Sequence, residues 1–328
     1  MWRYILKRLV LLVPVMLGVS LLVFLIMNLK PGDPGRMVLG VEATQEAVDA
    51  YNEQLGMNKP LLIRYFDFLN DFIHGDFGRS WYSGQPIRDK LLVLFPVTMK
   101  ICALAIFFSV ILGIPLGVYS AVKQYSVGDR IISISAMALA SVPTFWLSLV
   151  LALIFSAKLK WLPNFGLGSW KHYVMPLIVL GGSTTAMNVR LTRSSMLEEI
   201  RQDYVRTARA KGAKEGTVIF RHALRNSLIP VLTSAGITFG SLLGTTVYVE
   251  SVFALPGIGR YMVDAVKSKD VPVVLACVVL FSVFVVLINL LVDVAYAYLD
   301  PRIKALYISR AKRKKAIKVN EGVANGKK

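Results

Sequence analysis

Residues 98–122 read TMKICALAIFFSVILGIPLGVYSAV, a run in which Lys100 is the only charge. The hydrocarbon core of a bilayer is about 30 Å thick and a helix rises about 1.5 Å per residue, so roughly 20 apolar residues suffice to cross it. This run is long enough. Outward from it, five more runs meet the same test, at 9–29, 131–157, 173–190, 227–249 and 271–299. Hydrophobic residues make up 55% of the 328 and mean hydropathy is +0.56, more apolar surface than a water-soluble domain of this length could bury. The expected fold is therefore an all-α polytopic membrane protein with six transmembrane helices.

The net charge of +18 would suggest nucleic acid in a soluble protein. Its distribution says otherwise. With the N-terminus placed in the cytoplasm and the spans alternating, segments 1–8, 123–130, 190–226 and 300–328 hold 24 Lys and Arg against 7 Asp and Glu. The opposite segments, 31–97, 158–172 and 250–270, hold 12 against 12. The excess lies on one face, as positive-inside topology requires, with both termini cytoplasmic. No nucleic-acid partner is needed to explain it.

The chain divides into a signal-anchor helix at 1–30, an extracytoplasmic cap segment at 31–97, a core of five spans at 98–300 with a cytoplasmic loop at 190–226, and a basic cytoplasmic tail at 301–328. The first run, Leu9 to Met27, follows Arg3, Lys7 and Arg8 but exceeds the h-region of a cleaved signal, about 7–15 residues. In the cap, Thr44 is placed to cap a helix that Gly56 stops, and Pro60 to open a second that Gly75 ends. Leu62, Tyr65, Phe66, Leu69, Phe72 and Ile73 recur there at helical spacing and read as a face resting on membrane or spans. Gly236, Gly240 and Gly244 stand four apart and read as a packing face, a sliding or pathway face being the alternative. Lys100 can snorkel from the end of its span. Asp293, near the end of the last span, needs a polar partner, and with Asn289 it is the candidate for a pathway or gate. Cys102 and Cys277 fall in separate spans and His74, His172 and His222 in separate loops, so neither a disulfide nor a metal site is expected.

The informative loop is EEIRQDYVRTARAKGAKEGTVIFRHALRNSLIP, Glu198 to Pro230. Residues 196–211 contain no helix breaker, and Met196, Ile200, Tyr204 with Val205, and Ala208 fall on one stripe. Gly212 then stops the helix and Gly216 to His222 begins another. By composition alone this is a solvated basic loop at the lipid surface. The order of residues says more. Arg206-Thr207-Ala208, then Arg209-Ala210-Lys211 and Gly212, within Asp203-Tyr204-Val205-Arg206-Thr207-Ala208-Arg209-Ala210-Lys211-Gly212, resembles the coupling loop of dipeptide/oligopeptide-type ABC importer permeases. It departs from the general Glu-Ala-Ala pattern of such importers at the first two positions. Arg221 and His222 belong to a following string that also resembles this branch, as do Pro31-Gly32-Asp33-Pro34, Gly75-Asp76-Phe77-Gly78, Phe253-Ala254-Leu255-Pro256-Gly257-Ile258-Gly259 and Asp300-Pro301-Arg302.

The resemblance implies an inner-membrane permease with two ABC ATPase subunits, a second homologous permease and an extracytoplasmic substrate-binding protein as partners. ATP and Mg would reside on the ATPases, with no cofactor on this chain. No Walker A pattern occurs in the sequence, so it has no phosphate cradle of that kind. The competing class is an ion-coupled secondary carrier acting without ATPases. It is disfavoured by the single deep carboxylate and the absence of His within the runs.

Overall fold

Pro143 bends one of the six expected spans in two. The computed structural model describes residues 2–29 and 33–299, with the side chains of 2–9, 11, 12, 293 and 295–299 outside that description. The run 131–157 is here a pair of helices, α6 (Val127–Ser141) and α7 (Thr144–Leu151, extended by a π-helical turn Ala152–Lys158), meeting at 99°. Val142, next to the proline, is driven to extended backbone, and Pro143 has no N–H to continue the ladder.

The other elements are α1 (Trp2–Leu29), α2 (Pro34–Leu39), α3 (Gln45–Gln54), α4 (Leu61–Ile73), α5 (Ile87–Val122), α8 (Lys171–Ile200), α9 (Asp203–Ala210), α10 (Glu215–Thr217), α11 (Leu224–Val252), α12 (Ile258–Lys267) and α13 (Val271–Leu299). A π-helical stretch, Val218–Ala223, fuses α10 to α11. Every apolar run thus lies in helix apart from the break at 142–143. Among the described residues, three helical stretches are long and apolar enough to cross a membrane, Ile87–Val122, Glu215–Val252 and Val271–Val292, and the bent pair makes a fourth if it counts as one span. The described apolar part of α1, Val13–Leu29, is shorter. Helix α8 is 30 residues long but carries Gly181, Gly182, Thr184 and Asn188, all buried against neighbouring helices.

Helices α5 and α8 run parallel and nearly touch. A Cβ on Gly113 would sit 2.6 Å from Asn188 Cβ, and one on Gly117 2.5 Å from Thr192 Cβ. Small residues permit this approach, and Asn188 Nδ2 donates across it to Ser109 Oγ at 3.2 Å, while the buried Thr192 hydroxyl has no partner among the described residues. Around the pair, Ile101, Met175, Leu180, Leu243 and Phe253 form the main core. Gly236 packs as expected against Val292 and Gly240 against Val285, while Gly240 and Gly244 both border a cavity of about 570 Å³ lined by α1, α11, α12 and α13. Lys100 does more than snorkel. Its Nζ lies 4.9 Å from the Tyr173 ring centroid and 3.2 Å from that hydroxyl.

Three buried carboxylates stitch distant segments together. Asp129 at the start of α6 accepts from Arg193 Nε and Nη2 (2.8 and 2.9 Å), from Ser120 Oγ and from the Tyr125 N–H. Glu250 near the end of α11 accepts from Thr98 Oγ1 at 2.6 Å and from the Arg260 N–H at 3.1 Å. A Cβ on Gly257 would sit 2.2 Å from Glu250 Cδ, which explains a glycine at that point of the 253–259 string. Asp270, before α13, accepts from the Trp81 and Tyr82 N–H groups at 3.1 and 3.3 Å. The last of these ties the cap to the core.

In the cap, Thr44 accepts from the Ala47 N–H and α3 ends before Gly56 at φ +69°, as expected. The apolar stripe of α4 divides. Tyr65 is buried and donates to Leu17 O at 3.0 Å, and Phe68 and Leu69 pack beside Phe24, Val271 and Leu275. Leu62, Phe66 and Ile73 stay exposed.

Candidate functional site

The 190–226 loop lies at the end of the bundle opposite the cap, since α5 begins beside the Glu250 stitch and ends beside Val218. Its helix differs from the expected single stretch over 196–211. Helix α8 stops at Ile200, Gln202 turns extended, and α9 starts afresh at Asp203. At the break, Gln202 N–H bonds to Glu199 O at 3.1 Å, tightening the last turn.

Gly212 closes α9 as expected, and the manner is specific. Its φ is +79°, its N–H donates to Arg209 O at 2.9 Å, and the Ala213 N–H donates to Ala208 O at 3.2 Å. These two bonds form a Schellman cap, with Ala208 and Ala213 partly buried together beneath it. The turn has a fixed shape. Beyond it, Arg209 forks onto Glu215 at 2.7 and 3.1 Å, setting the angle at which the chain returns. That pair is exposed, so its value is orientation more than stability.

Beneath α9, Val205 is completely buried against Met196 of α8, Val118 and Ala121 of α5, and Val218, Ile219 and Ala223 of the π-helical stretch. Of the two stripe alternatives at that turn, Val205 packs inward and Tyr204 stays at the surface. The Tyr204 hydroxyl donates to Glu199 and accepts from Asn226 Nδ2 at 2.9 Å, joining the end of α8, the start of α9 and the start of α11. Burial, then the Glu199 contact, pushes this phenol up, so it remains a neutral donor. The outer face carries Asp203 and Arg206, 3.8 Å apart and largely exposed, with Thr207, Ala210 and Lys211. Thr207 Oγ1 folds back onto Asp203 O at 2.8 Å.

The arrangement has no reacting group. It is a short helix with a polar outer face, fixed from below to α5, α8 and the stretch that leads into α11. Asp203, Tyr204, Arg206, Thr207, Ala208, Arg209, Ala210, Lys211 and Gly212 are contiguous there. Exposed Arg221 and half-buried His222 lie on the adjoining π-helical stretch. Asn289 is elsewhere, on α13 with its Oδ1 3.7 Å from where a Cβ on Gly240 would stand. The Asp293 side chain and the tail 301–328 lie outside the described residues. Sequence reasoning missed Glu199, Asn226 and Glu215 as the loop's braces, and Asp129 with Arg193 as the latch beside it. The available signal was one acid in the short 123–130 segment and one arginine just past an apolar run.

Comparison with known proteins identifies the family of the chain. The family described as "Binding-protein-dependent transport system inner membrane component" matches residues 113–305, and its N-terminal counterpart matches residues 1–102. The glutathione transport system permease protein GsiC of Escherichia coli K12 is 40% identical over 304 residues, covering 93% of this chain and 99% of its own length. The protein of that name from Pectobacterium atrosepticum is 42% identical over the same span. Among solved structures, an inward-facing MetNI methionine ABC transporter chain superposes with a TM-score of 0.54 at 18% identity, covering 64% of this chain and 96% of that one, a likeness of fold. Permeases of this family work in the inner membrane as part of importers with a partner permease, an ATPase and a binding protein. The chain belongs to the binding-protein-dependent inner-membrane components and is a peptide-type permease of an ABC importer.

Proposed function

We propose that the chain forms one half of the pathway by which short peptides enter the cell, and that α9 is the contact through which ATP hydrolysis drives it. A second homologous permease supplies the other half, an extracytoplasmic binding protein delivers the peptide, and two ATPase subunits hold ATP and Mg. The chain itself is no enzyme. In this reading each of the six helical runs crosses the membrane, the 190–226 loop faces the cytoplasm and the 31–97 cap faces outward, which agrees with the charge asymmetry. Helix α8 can cross despite its polar residues because neighbours cover them. The substrate class follows from the peptide-type family and from relatives named for glutathione, itself a modified tripeptide.

The observation that carries the reading is the capped α9, presented outward on a fixed apolar base. Gly212→Val forces a β-branched residue to φ +79°, a cost of about 1–2 kcal/mol, and re-aims the turn. Insertion into the membrane should be unchanged, while ATP hydrolysis stimulated by loaded binding protein should fall about fivefold or more. Unchanged stimulation in a correctly inserted variant would remove the role of α9. For the assembly, purification in gentle detergent with mass spectrometry of bound chains should recover P-loop ATPases and a second permease. A homo-oligomer free of ATPase, under conditions that keep other importers whole, would count against it.

A further inference from the structure

Between α3, α4 and the 76–84 turn, the cap holds a cavity of about 560 Å³ at the outer ends of α1 and α13. Its floor is apolar and rigid, because Phe24, Trp81, Val271 and Leu275 are buried there and hold α1, α4 and α13 together. Its walls are charged, with three cations and three carboxylates. Most are already engaged. Lys59 pairs with Asp67 at 2.7 Å, Asp76 Oδ1 accepts from the Gly78 N–H at 2.8 Å, and Arg79 Nη1 donates to Gly84 O at 3.1 Å.

Arg64 and Asp71 are left. Neither has an ion-pair partner among the described residues, though the Arg64 guanidinium is partly buried over the Phe24 ring, 6.0 Å from its centroid. They stand on the same face of α4 with Phe68 between them, at i, i+4 and i+7. Seven residues of helix set their Cα atoms about 10 Å apart along the axis, and no ion pair joins them. A ligand carrying one charge of each sign at that separation satisfies both. An extended tripeptide, at about 3.3–3.6 Å per residue, has its terminal charges about 10 Å apart. The headgroup of phosphatidylethanolamine, with two carbons between its charged groups, does not reach.

We propose that the cap cavity binds a short zwitterionic peptide, its terminal carboxylate on Arg64, its terminal ammonium on Asp71 and its side chains over the Phe24–Trp81 floor. The site lies at the outer ends of α1 and α13 and would hold peptide at the outer surface of the permease. It rests on the reading of the chain as a peptide importer subunit whose cap faces outward.

The test uses the assembled importer purified without its binding protein and dialysed against radiolabelled tri-alanine, alongside tri-alanine uptake by proteoliposomes carrying the complete system. Saturable binding is expected, weakened about tenfold or more by Arg64→Gln, by Asp71→Asn, and by acetylating or amidating the peptide ends. Arg88→Gln, an exposed cap cation outside the cavity, should leave it within about threefold. Uptake without such binding, or binding indifferent to both variants, overturns the cap site and leaves the importer reading intact. Binding with the expected dependence but no peptide uptake supports the site and counts against peptide import. Displacement of tri-alanine by phosphatidylethanolamine but not phosphatidylcholine in lipid discs would assign the cavity to a lipid headgroup and overturn the peptide.

Discussion

Asp129→Ala is expected to destabilise the purified chain by about 3 kcal/mol, the lower end of the range for stripping one partner from a buried ion pair. The Asp129 side chain is only 5% exposed, but its own hydrogen-bonding partners cover it more than depth of protein does, which argues for the lower end. Its loss strands Arg193, which is about a quarter exposed, together with Ser120 Oγ and the Tyr125 N–H. Tyr125 is also held at φ +66°, a conformation a non-glycine residue adopts only when something fixes it. The double variant Asp129→Ala/Arg193→Leu should recover part of the loss, because no charge is then left without its partner. Equilibrium unfolding in detergent measures both. A loss below about 1 kcal/mol for the single variant would show that the latch carries little. Arg193 precedes Met196 on α8 by three residues, so loosening it also loosens the base under Val205, and coupled ATP hydrolysis should fall with stability.

Thr98→Val is expected to cost about 2–4 kcal/mol although it changes almost no volume. The hydroxyl donates to Glu250 and at the same time accepts from the Ile258 N–H at 3.0 Å, so the valine leaves a buried carboxyl and a buried amide each short of a partner. Thr98→Ser keeps the oxygen and should stay within about 1 kcal/mol of the parent. The distinguishing readout is hydrogen exchange at Ile258, which should speed up in the valine variant and not in the serine one. Equal protection in both would show that backbone packing, not Thr98, holds the 253–259 string against α5.

Legibility in the sequence followed the range of the interaction. Gly212, Thr44 and Gly56 act on their immediate neighbours, and each turn or cap stands where those residues place it. The apolar runs are likewise local and lie in helix. The bend at Pro143 was signalled by the proline itself, but its 99° angle depends on where α7 packs. The break at Arg201–Gln202 had no local signal, since nothing from 196 to 211 opposes helix. The chain turns there because Val205 must reach the pocket made by α5 and the π-helical stretch. Glu250 with Thr98 and Asp270 with Ser80 join residues 152 and 190 positions apart, pairings no pattern along the chain announces. Arg64 and Asp71 show the same limit, because their spacing is plain on α4 while the cavity that makes it matter is assembled from five segments.

The most direct test of the central claim places a cysteine at Arg206, whose side chain is 76% exposed on the outer face of α9. The two native cysteines, Cys102 and Cys277, are fully buried and free, so the new thiol is the one available to reagents. In the assembled importer it should cross-link to an ATPase subunit through a short bis-maleimide, with a yield that changes when ATP is added. In intact cells it should resist an impermeant maleimide supplied from outside. Labelling from outside, or an intact complex in which the Arg206→Cys thiol cross-links to no ATPase, would contradict the assignment of α9 as the helix through which ATP hydrolysis moves this permease.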